Sequence, residues 1–417
     1  MSTLAIPVVP QAARPSRLLP ILLFAAFASL IALFQGIQNI LIPAVVQQLA
    51  PGSKVSTLAI LSTLSAVTTV AALLAGGALS DRTRSRFGKR TPWLVLSSIV
   101  TIVLMLLLGA ASSVVQLMVV MPLMWFSANF YQTVVVAIMP DRIPDEQRGF
   151  ASAAIALGVP VGIFVGVNVA AFAPTTFIGY AILAVPHALA TLALVVFGRE
   201  PSSLHDAARE AGASPIVRTG FFSAFASADF TLTFISRFVL FLSYFTVSGY
   251  TFYVLQDYVG VANLPGGNVA GSISIILSIV TVAWLVVAPL TGILSDRIGH
   301  TPTIVGYTSV AIGAVLAIPA LSHTWIAMIL YAIGLGLTFG IYFAVDLKLA
   351  SLVLPSAEAA GRDIGLMGVA ASGPTVLAPA IAAAIIQYGS FPGLFAAGAV
   401  LALLGGIAAF RVKLGRA

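Results

Sequence analysis

The sequence has no cysteine among its 417 residues, and only 8% of them are charged. The absence of cysteine excludes disulfides and metal sites built on thiolates. The scarcity of charge excludes a water-soluble protein of this size, because soluble domains carry about 25% charged residues. Hydrophobic residues make up 59% of the chain instead, so lipid is the expected solvent for most of it.

Long apolar runs recur from end to end. A membrane-spanning helix needs about 20 apolar residues, and these runs are continuous, whereas barrel strands alternate between polar and apolar residues. The sequence therefore predicts an all-α membrane protein with twelve transmembrane helices in two pseudo-symmetric six-helix bundles. The predicted spans are Leu19–Val46, Val55–Leu79, Trp93–Ala110, Val115–Met139, Phe150–Ala173, Phe177–Val196, Phe230–Gln256, Ser272–Leu294, Thr303–Leu321, Trp325–Leu354, Ile364–Gln387 and Leu394–Phe410.

The placement of basic residues predicts the topology. Of the 20 Lys and Arg residues, only Lys54 falls in a loop on the predicted extracellular side, while Arg237 and Lys348 lie inside spans. The others sit at the termini or in alternate loops, a bias that places both termini in the cytoplasm of a plasma (inner) membrane. The net charge of +7 is thus explained by basic residues that orient the protein in the lipid bilayer, and it does not indicate a nucleic-acid partner.

An internal repeat divides the chain. The longest polar stretch separates an N-terminal bundle (1–197) from a C-terminal bundle (229–417), with a cytoplasmic linker at 198–228. Three features recur in corresponding places of the two halves at an offset of 215 residues. They are Asp81 and Asp296, Pro140 and Pro355, and Gly158 and Gly373. Duplicated bundles predict a binding site at their interface.

The segment after the second predicted span carries a recognisable motif. Residues 77–93 read GALSDRTRSRFGKRTPW, and 292–297 read GILSDR in the second half. These loops, with the stretch from Pro140 to Gly149, resemble those of the major facilitator superfamily. The resemblance implies a monomeric secondary transporter that works by alternating access. The sequence contains no nucleophile triad, phosphate-binding loop or metal-ligand spacing, so we expect no enzyme activity, cofactor or metal. The resemblance also implies a set of gating residues: Gly77, Asp81, Arg82, Arg86, Arg90, Arg148, Asp296 and Arg297.

Physical roles for this set follow from its chemistry. We expect Gly77 to allow close helix approach. Asp81 can cap a helix or pair with an arginine across the bundle interface when the cytoplasmic side is closed. The alternative is that the arginines only set the topology.

Within the superfamily, the loop is most similar to the glycoside–pentoside–hexuronide and sucrose transporter groups, as are the run from Phe34 to Leu49 and the pair Asn129 and Gln132. These groups imply uptake of a sugar or glycoside by symport. The span Val55–Leu79 holds no acid for a sodium ion, which favours a proton as the coupling ion. The glycines from Gly158 to Gly166 partly match the fifth-helix motif of drug/proton antiporters, so export of drug-like compounds is the alternative. A membrane receptor or scaffold without transport is a third hypothesis.

Polar residues inside spans predict the substrate cavity, because polar groups in hydrocarbon are costly and turn inward. They share helical faces in the first, fourth, seventh and tenth spans, which line the cavity in the family resembled. The predicted binding residues are Gln35, Gln38, Asn39, Asn129, Gln132, Tyr250, Tyr253 and Tyr342. Amides and aromatic faces suit a small polyhydroxylated or mixed polar–aromatic solute. The alternative is that these side chains hold helices together.

One acid lies well inside a span. Asp346 is nine residues before Pro355, and Arg237 is eight residues after Asp229. At 1.5 Å per residue, each lies about 12–14 Å from the predicted cytoplasmic end. An unpaired charge at that depth is costly, so we expect the two side chains to pair. They are the predicted proton-coupling residues; the alternative is a static structural ion pair.

Overall fold

A computed structural model describes residues 18–204, 223–298, 300–355 and 359–414, excluding the side chains of residues 145, 146, 292–298, 347, 360 and 361. Within these ranges twelve helices are long and apolar enough to cross a membrane, and no strand is formed. They are α1 (Leu18–Leu49), α2 (Lys54–Arg82), α3 (Thr91–Gly109), α4 (Val114–Arg142), α5 (Asp145–Ala171), α6 (Thr176–Phe197), α7 (Ala228–Ser248), α8 (Val269–Ile298), α9 (Thr301–Leu321), α10 (Trp325–Leu352), α11 (Arg362–Tyr388) and α12 (Phe391–Phe410). The predicted all-α membrane fold is confirmed.

Polar residues mark where several helices begin. Hydroxyl oxygens accept hydrogen bonds from backbone N–H groups three residues later, at distances of 3.2–3.4 Å. These capping residues are Ser113 before α4, Thr175 before α6, Thr324 before α10 and Ser390 before α12. A cap of this kind satisfies N–H groups that have no partner within the helix.

The packing pattern of the first six helices is repeated in the last six. The main pairs in the first bundle are α1–α5, α1–α6, α2–α4, α3–α4 and α3–α6. Each has its counterpart six helices later: α7–α11, α7–α12, α8–α10, α9–α10 and α9–α12. The bundles meet mainly through two helix pairs, α2–α11 and α5–α8. These two pairs are also equivalent, because replacing each helix by its counterpart in the other bundle turns one pair into the other. The fold is therefore two pseudo-symmetric bundles around a shared interface.

Small residues bring α1 and α5 together. A Cβ atom added at Gly166 would lie 2.1 Å from the Ala32 carbonyl oxygen, and one at Gly162 would lie 2.5 Å from the Ala28 carbonyl oxygen. Small residues four apart on facing helices permit such close backbone approach. The glycines between Gly158 and Gly166 thus serve helix packing in this structure, the simpler interpretation of their motif.

The seventh helix ends well before its predicted span does. The seventh predicted span ends at Gln256, whereas α7 ends at Ser248, and the chain becomes helical again from Thr251. The hydropathy pattern missed this break because apolar residues flank the short stretch from Ser248 to Thr251 on both sides, although Gly249 was an available helix-ending signal. A π-helical segment follows at Val254–Gly260, and α1 contains another at Ile37–Leu41. Turns of this type are rare and re-aim side chains, often at functional sites.

Candidate substrate-binding site

A cavity of about 550 Å³ lies between the two bundles. Its walls come from α1, α2, α4 and α5 on one side, and from α7, α8, α10, α11 and the turn after α7 on the other. None of the described residues on these walls is charged. Since an ionic solute at this depth would need a counter-charge, the wall chemistry suits an uncharged one.

The wall from the first bundle carries the amides, which we call the amide wall. Its polar members are Gln35, Gln38, Asn39, Ser62, Ser65, Thr69, Asn129 and Gln132. Asn39 Nδ2 donates to Gln35 Oε1 at 2.7 Å, and Asn129 Nδ2 donates to Thr69 Oγ1 at 3.1 Å. The side chain of Gln132 makes no hydrogen bond to any described residue. All five predicted amide residues therefore lie on the cavity wall, and their role in binding stays a prediction.

The wall from the second bundle is aromatic, and we call it the aromatic wall. Its members are Phe241, Tyr244, Phe245, Tyr250, Trp284, Phe339 and Phe343. The rings of Trp284 and Phe343 are stacked with centroids 5.0 Å apart, and those of Tyr244 and Phe339 are 4.7 Å apart. Of these residues the sequence analysis identified only Tyr250. The spacing of Phe339 and Phe343, four apart on one helix face, was the available signal.

The structure places two predicted binding residues away from the cavity wall. The Tyr253 hydroxyl donates to the Pro43 carbonyl oxygen at 3.2 Å, and the Tyr342 hydroxyl donates to Asp346 Oδ1 at 2.9 Å. On α10 the cavity side is formed by Phe339 and Phe343. Tyr342 precedes Phe343 by one residue and so points about 100° away around the helix.

Asp346 and Arg237 form the predicted contact. Asp346 Oδ2 lies 3.0 Å from Arg237 Nη2, joining α10 to α7, and Asp346 is only 4% exposed. The Tyr342 hydroxyl donates to the other carboxylate oxygen. Arg237 Nε is buried and has no acceptor among the described residues. The two buried charges thus largely neutralise each other. Their role in coupling stays a prediction.

A second ionic cluster lies where α2 and α4 end, on the side of the molecule formed by residues 83–90, 143–144 and 198–204. We call this side the basic face and the other the opposite face. The buried Arg90 guanidinium contacts Asp81 at 2.5 Å, Asp141 at 2.8 Å, and the Ser80 hydroxyl. Lys89 Nζ also reaches Asp141, at 3.0 Å. Asp81 therefore pairs within its own bundle in this structure, and a contact across the interface when the cytoplasmic side is closed stays a prediction.

Glu200, at the start of the linker, binds the backbone next to this cluster. Its carboxylate accepts hydrogen bonds from the backbone N–H groups of Lys89, Arg90 and Thr91 at 2.9–3.2 Å, which caps the start of α3. Gly88, at φ +89°, makes room, since a Cβ there would lie 2.2 Å from the Glu200 carboxyl carbon. The sequence analysis missed Glu200, because a carboxylate in a polar linker gives no signal of its partners.

The other predicted gating residues have varied surroundings. A Cβ at Gly77 would have nothing within 4 Å, whereas one at Gly76 would lie 3.1 Å from Thr133 Cβ, so the close helix approach occurs at Gly76. Arg82 and Arg86 are exposed. Arg148 donates to the carbonyl oxygens of Ile143 and Pro140, both at 3.2 Å. The side chains of the remaining two, Asp296 and Arg297, lie outside the described residues.

Contacts between the bundles cluster toward the opposite face. Lys54 Nζ lies 2.7 Å from Asp257 Oδ2, and the Tyr250 hydroxyl donates to the Val55 carbonyl oxygen at 3.2 Å. Asn168 exchanges hydrogen bonds with Ser274 and Ser278. No hydrogen bond between described residues of the two bundles is found at the basic face. Among the described residues, the hydrogen bonds and ion pairs that join the two bundles in this conformation therefore lie toward the opposite face.

Comparisons with known proteins agree with this architecture. The family model of the Major Facilitator Superfamily matches residues 22–360 and 270–416. Crystal structures similar to the chain include a mutant of the nucleoside transporter NupG, with 12% identity, a TM-score of 0.76, and coverage of 95% of this chain and 100% of that one.

Two further similar structures are of POT family transporters. One, in complex with a thioalcohol-conjugated peptide, has 14% identity, a TM-score of 0.72, and coverage of 94% of this chain and 95% of that one. The other, in complex with 5-aminolevulinic acid, has 15% identity, a TM-score of 0.71, and coverage of 98% and 99%. At these identities the likeness shows the fold, and no curated protein matches the sequence significantly. Because the family model spans almost the whole chain, the protein belongs to the Major Facilitator Superfamily and is a multi-pass membrane transporter, not an enzyme.

Proposed function

We propose that the protein carries a small uncharged polar solute, of the sugar or glycoside kind, across the plasma membrane by proton symport. The observation that supports this most is the uncharged cavity between the bundles, with amides concentrated on one wall. Amide groups both donate and accept hydrogen bonds, as hydroxyl groups do, so they pair with a polyol in either sense. The basic face is the cytoplasmic one in this proposal, following the bias in basic residues.

Alternating access is supported by the contacts that the described residues make between the bundles. Lys54 and Asp257 pair across the interface at the opposite face, whereas Asp81 and Arg90 pair within one bundle at the basic face. A rocking movement that separates the first pair would open the cavity to the opposite face. The substrate would then be released or bound from that side without any passage open to both.

The Asp346–Arg237 pair supports the proton as the coupling ion. A carboxylate this buried is neutralised either by a proton or by its arginine. In our proposal a rearrangement of α7 against α10 within the second bundle accompanies the rocking movement and lengthens the distance between Asp346 and Arg237, and Asp346 then takes up a proton. The Asp346→Asn variant should lose accumulation driven by a proton gradient but retain substrate exchange, which moves no net proton. Accumulation with the wild-type dependence on pH would place the coupling site elsewhere.

A second function, export of drug-like compounds by proton antiport, is favoured by the aromatic wall. Aromatic side chains bind flat apolar molecules without a need for hydroxyl groups. The direction of flux distinguishes the two functions. In vesicles with an imposed proton gradient, symport moves substrate in the direction of the proton flow, whereas antiport moves it against that flow.

The test is tracer uptake into proteoliposomes with an inward proton gradient, with sugars, glycosides and hydrophobic amines offered in turn. Uptake of a neutral polyol should fall at least tenfold in the Gln132→Leu variant. Gln116→Leu is the matched control, because Gln116 lies on the same helix but its side chain donates to the Leu107 carbonyl oxygen, away from the cavity. Uptake of amines alone, unchanged by Gln132→Leu, would contradict the proposal.

A further inference from the structure

The two cavity walls differ in chemistry, and each belongs to a different bundle. All the amide side chains lie on the wall of the first bundle, and seven of the nine aromatic rings lie on that of the second, the other two being Phe34 and Trp125 of the first bundle. The amide wall comes from α1, α2 and α4, and the aromatic wall comes from α7, α8, α10 and the turn after α7. We propose that the substrate is two-part: a polyhydroxylated ring that binds the amide wall, joined to a neutral aromatic ring that binds the aromatic wall. Aryl glycosides and nucleosides share this chemistry. The inference rests on the proposed function and narrows its substrate class.

Unused hydrogen-bonding capacity on the amide wall supports the polyhydroxylated part. Gln132 has both its amide oxygen and its amide nitrogen free. Gln35 uses its side-chain oxygen for Asn39, and its Nε2 donates to no described residue. Asn129 uses its nitrogen, which leaves its Oδ1 as an acceptor. These atoms border the cavity, so hydroxyl groups of a ligand would complete their hydrogen bonds.

The extent of the aromatic wall supports the aromatic part. Trp284 and Phe343 form a stacked pair, and the ring centroids of Phe339 and Phe343 are 5.7 Å apart. Phe343 remains 37% exposed although it borders the cavity. A flat ligand ring would cover this apolar surface and gain offset-stacked or edge-to-face contacts. A sugar ring alone would cover little of this surface and leave most of the aromatic wall in contact with water.

The division between bundles gives the two-part ligand a role in transport. A ligand with only hydroxyl groups contacts chiefly the first bundle, and a ligand with only an aromatic ring contacts chiefly the second. Only a ligand with both parts gains contact energy when the bundles close around it. Its binding therefore favours the closed intermediate through which transport passes, because a ligand shifts a conformational equilibrium only by its differential affinity. A volume of about 550 Å³ also falls within the range of roughly 300–1,000 Å³ typical of sites for drug-sized ligands.

The test measures competition against a transported tracer by four unlabelled compounds in wild-type proteoliposomes. They are a phenyl β-glucoside, a purine nucleoside, free glucose and free phenol. We expect the phenyl glucoside or the nucleoside to compete at least tenfold more tightly than glucose and phenol. Whichever of the two is tighter identifies the aromatic part as a phenyl ring or a nitrogen heterocycle, and either outcome supports the two-part substrate.

Variants of each wall complete the test. Phe343→Ala should weaken competition by the preferred two-part compound at least tenfold and leave competition by glucose unchanged. Phe164→Ala should change neither. Phe164 is the matched control because it is 45% exposed on α5 but does not border the cavity. Equal competition by glucose and the phenyl glucoside, with no effect of Phe343→Ala, would overturn the two-part substrate and leave polyol transport standing. Absence of uptake for every neutral polyol would overturn both proposals.

Discussion

The ion pair between Asp346 and Arg237 leads to a quantitative prediction about stability. Side-chain exposure is 6% for Asp346 and 13% for Arg237, so each charge depends on the other for compensation. Removing one partner of a buried pair costs about 3–5 kcal/mol, because the remaining charge is left uncompensated. Asp346→Asn keeps an acceptor for the Tyr342 hydroxyl but removes the charge. We therefore expect Asp346→Asn and Arg237→Met each to lower the free energy of unfolding by about 3 kcal/mol.

The double variant separates the pair from its surroundings. When both charges are removed, no buried charge is left, so the double variant should be more stable than either single one. The coupling energy from the double-mutant cycle should reach about 3 kcal/mol. The measurement is thermal or denaturant unfolding of the purified protein in detergent, with retained expression of all four proteins as a precondition.

The pair Lys54 and Asp257 provides the control cycle. Its side chains are 15% and 34% exposed, and pairs near a surface contribute about 0–1 kcal/mol. The cycle at this pair should therefore give a coupling energy several times smaller. Equal coupling energies in the two cycles would refute the reasoning that burial makes the Asp346 pair strong.

Two further predictions concern the packing of α1 on α5 and the loop before α3. Gly166→Ala should destabilise the protein by about 1–3 kcal/mol, since its Cβ meets a backbone oxygen at 2.1 Å, whereas Gly149→Ala on the same helix meets nothing within 4 Å and should be neutral or stabilising in the same melting assay. Glu200→Ala should speed hydrogen exchange at the Thr91 amide, because the capping carboxylate is lost. Arg86→Ala, an exposed change in the same loop, should leave that exchange rate unaltered.

The positions of the helices could be predicted because a lipid environment forces the sequence to show them. A span must be continuously apolar and about 20 residues long, and few other arrangements produce that pattern. The Asp346–Arg237 contact was predictable for a related reason, since a charge at that depth must find a partner. In both cases the energetic cost depends on the residue type and its depth in the membrane. Both can be read from the sequence without knowledge of the neighbouring helices.

The aromatic wall could not be predicted in this way. Trp284, Phe339 and Phe343 cost nothing in lipid, so their hydropathy is the same whether they face lipid, another helix or a cavity. The break after Ser248 was missed for a different reason, because the four residues Ser248 to Thr251 are too few to interrupt a window of about 20 residues that is apolar on both sides. Tyr342 was predicted on the cavity wall because it shares a face with Asp346, but the partner of that face proved to be α7.

The central claim is that transport requires the bundles to separate at the opposite face. The chain has no cysteine, so Lys54→Cys with Asp257→Cys gives a single reactive pair across the interface. A reversible bifunctional thiol reagent should then abolish tracer flux in proteoliposomes, and reduction should restore it. The control pair, Leu107→Cys with Gln116→Cys, joins α3 to α4 within one bundle and should leave flux intact. Full flux with the first pair completely cross-linked would contradict alternating access around this cavity.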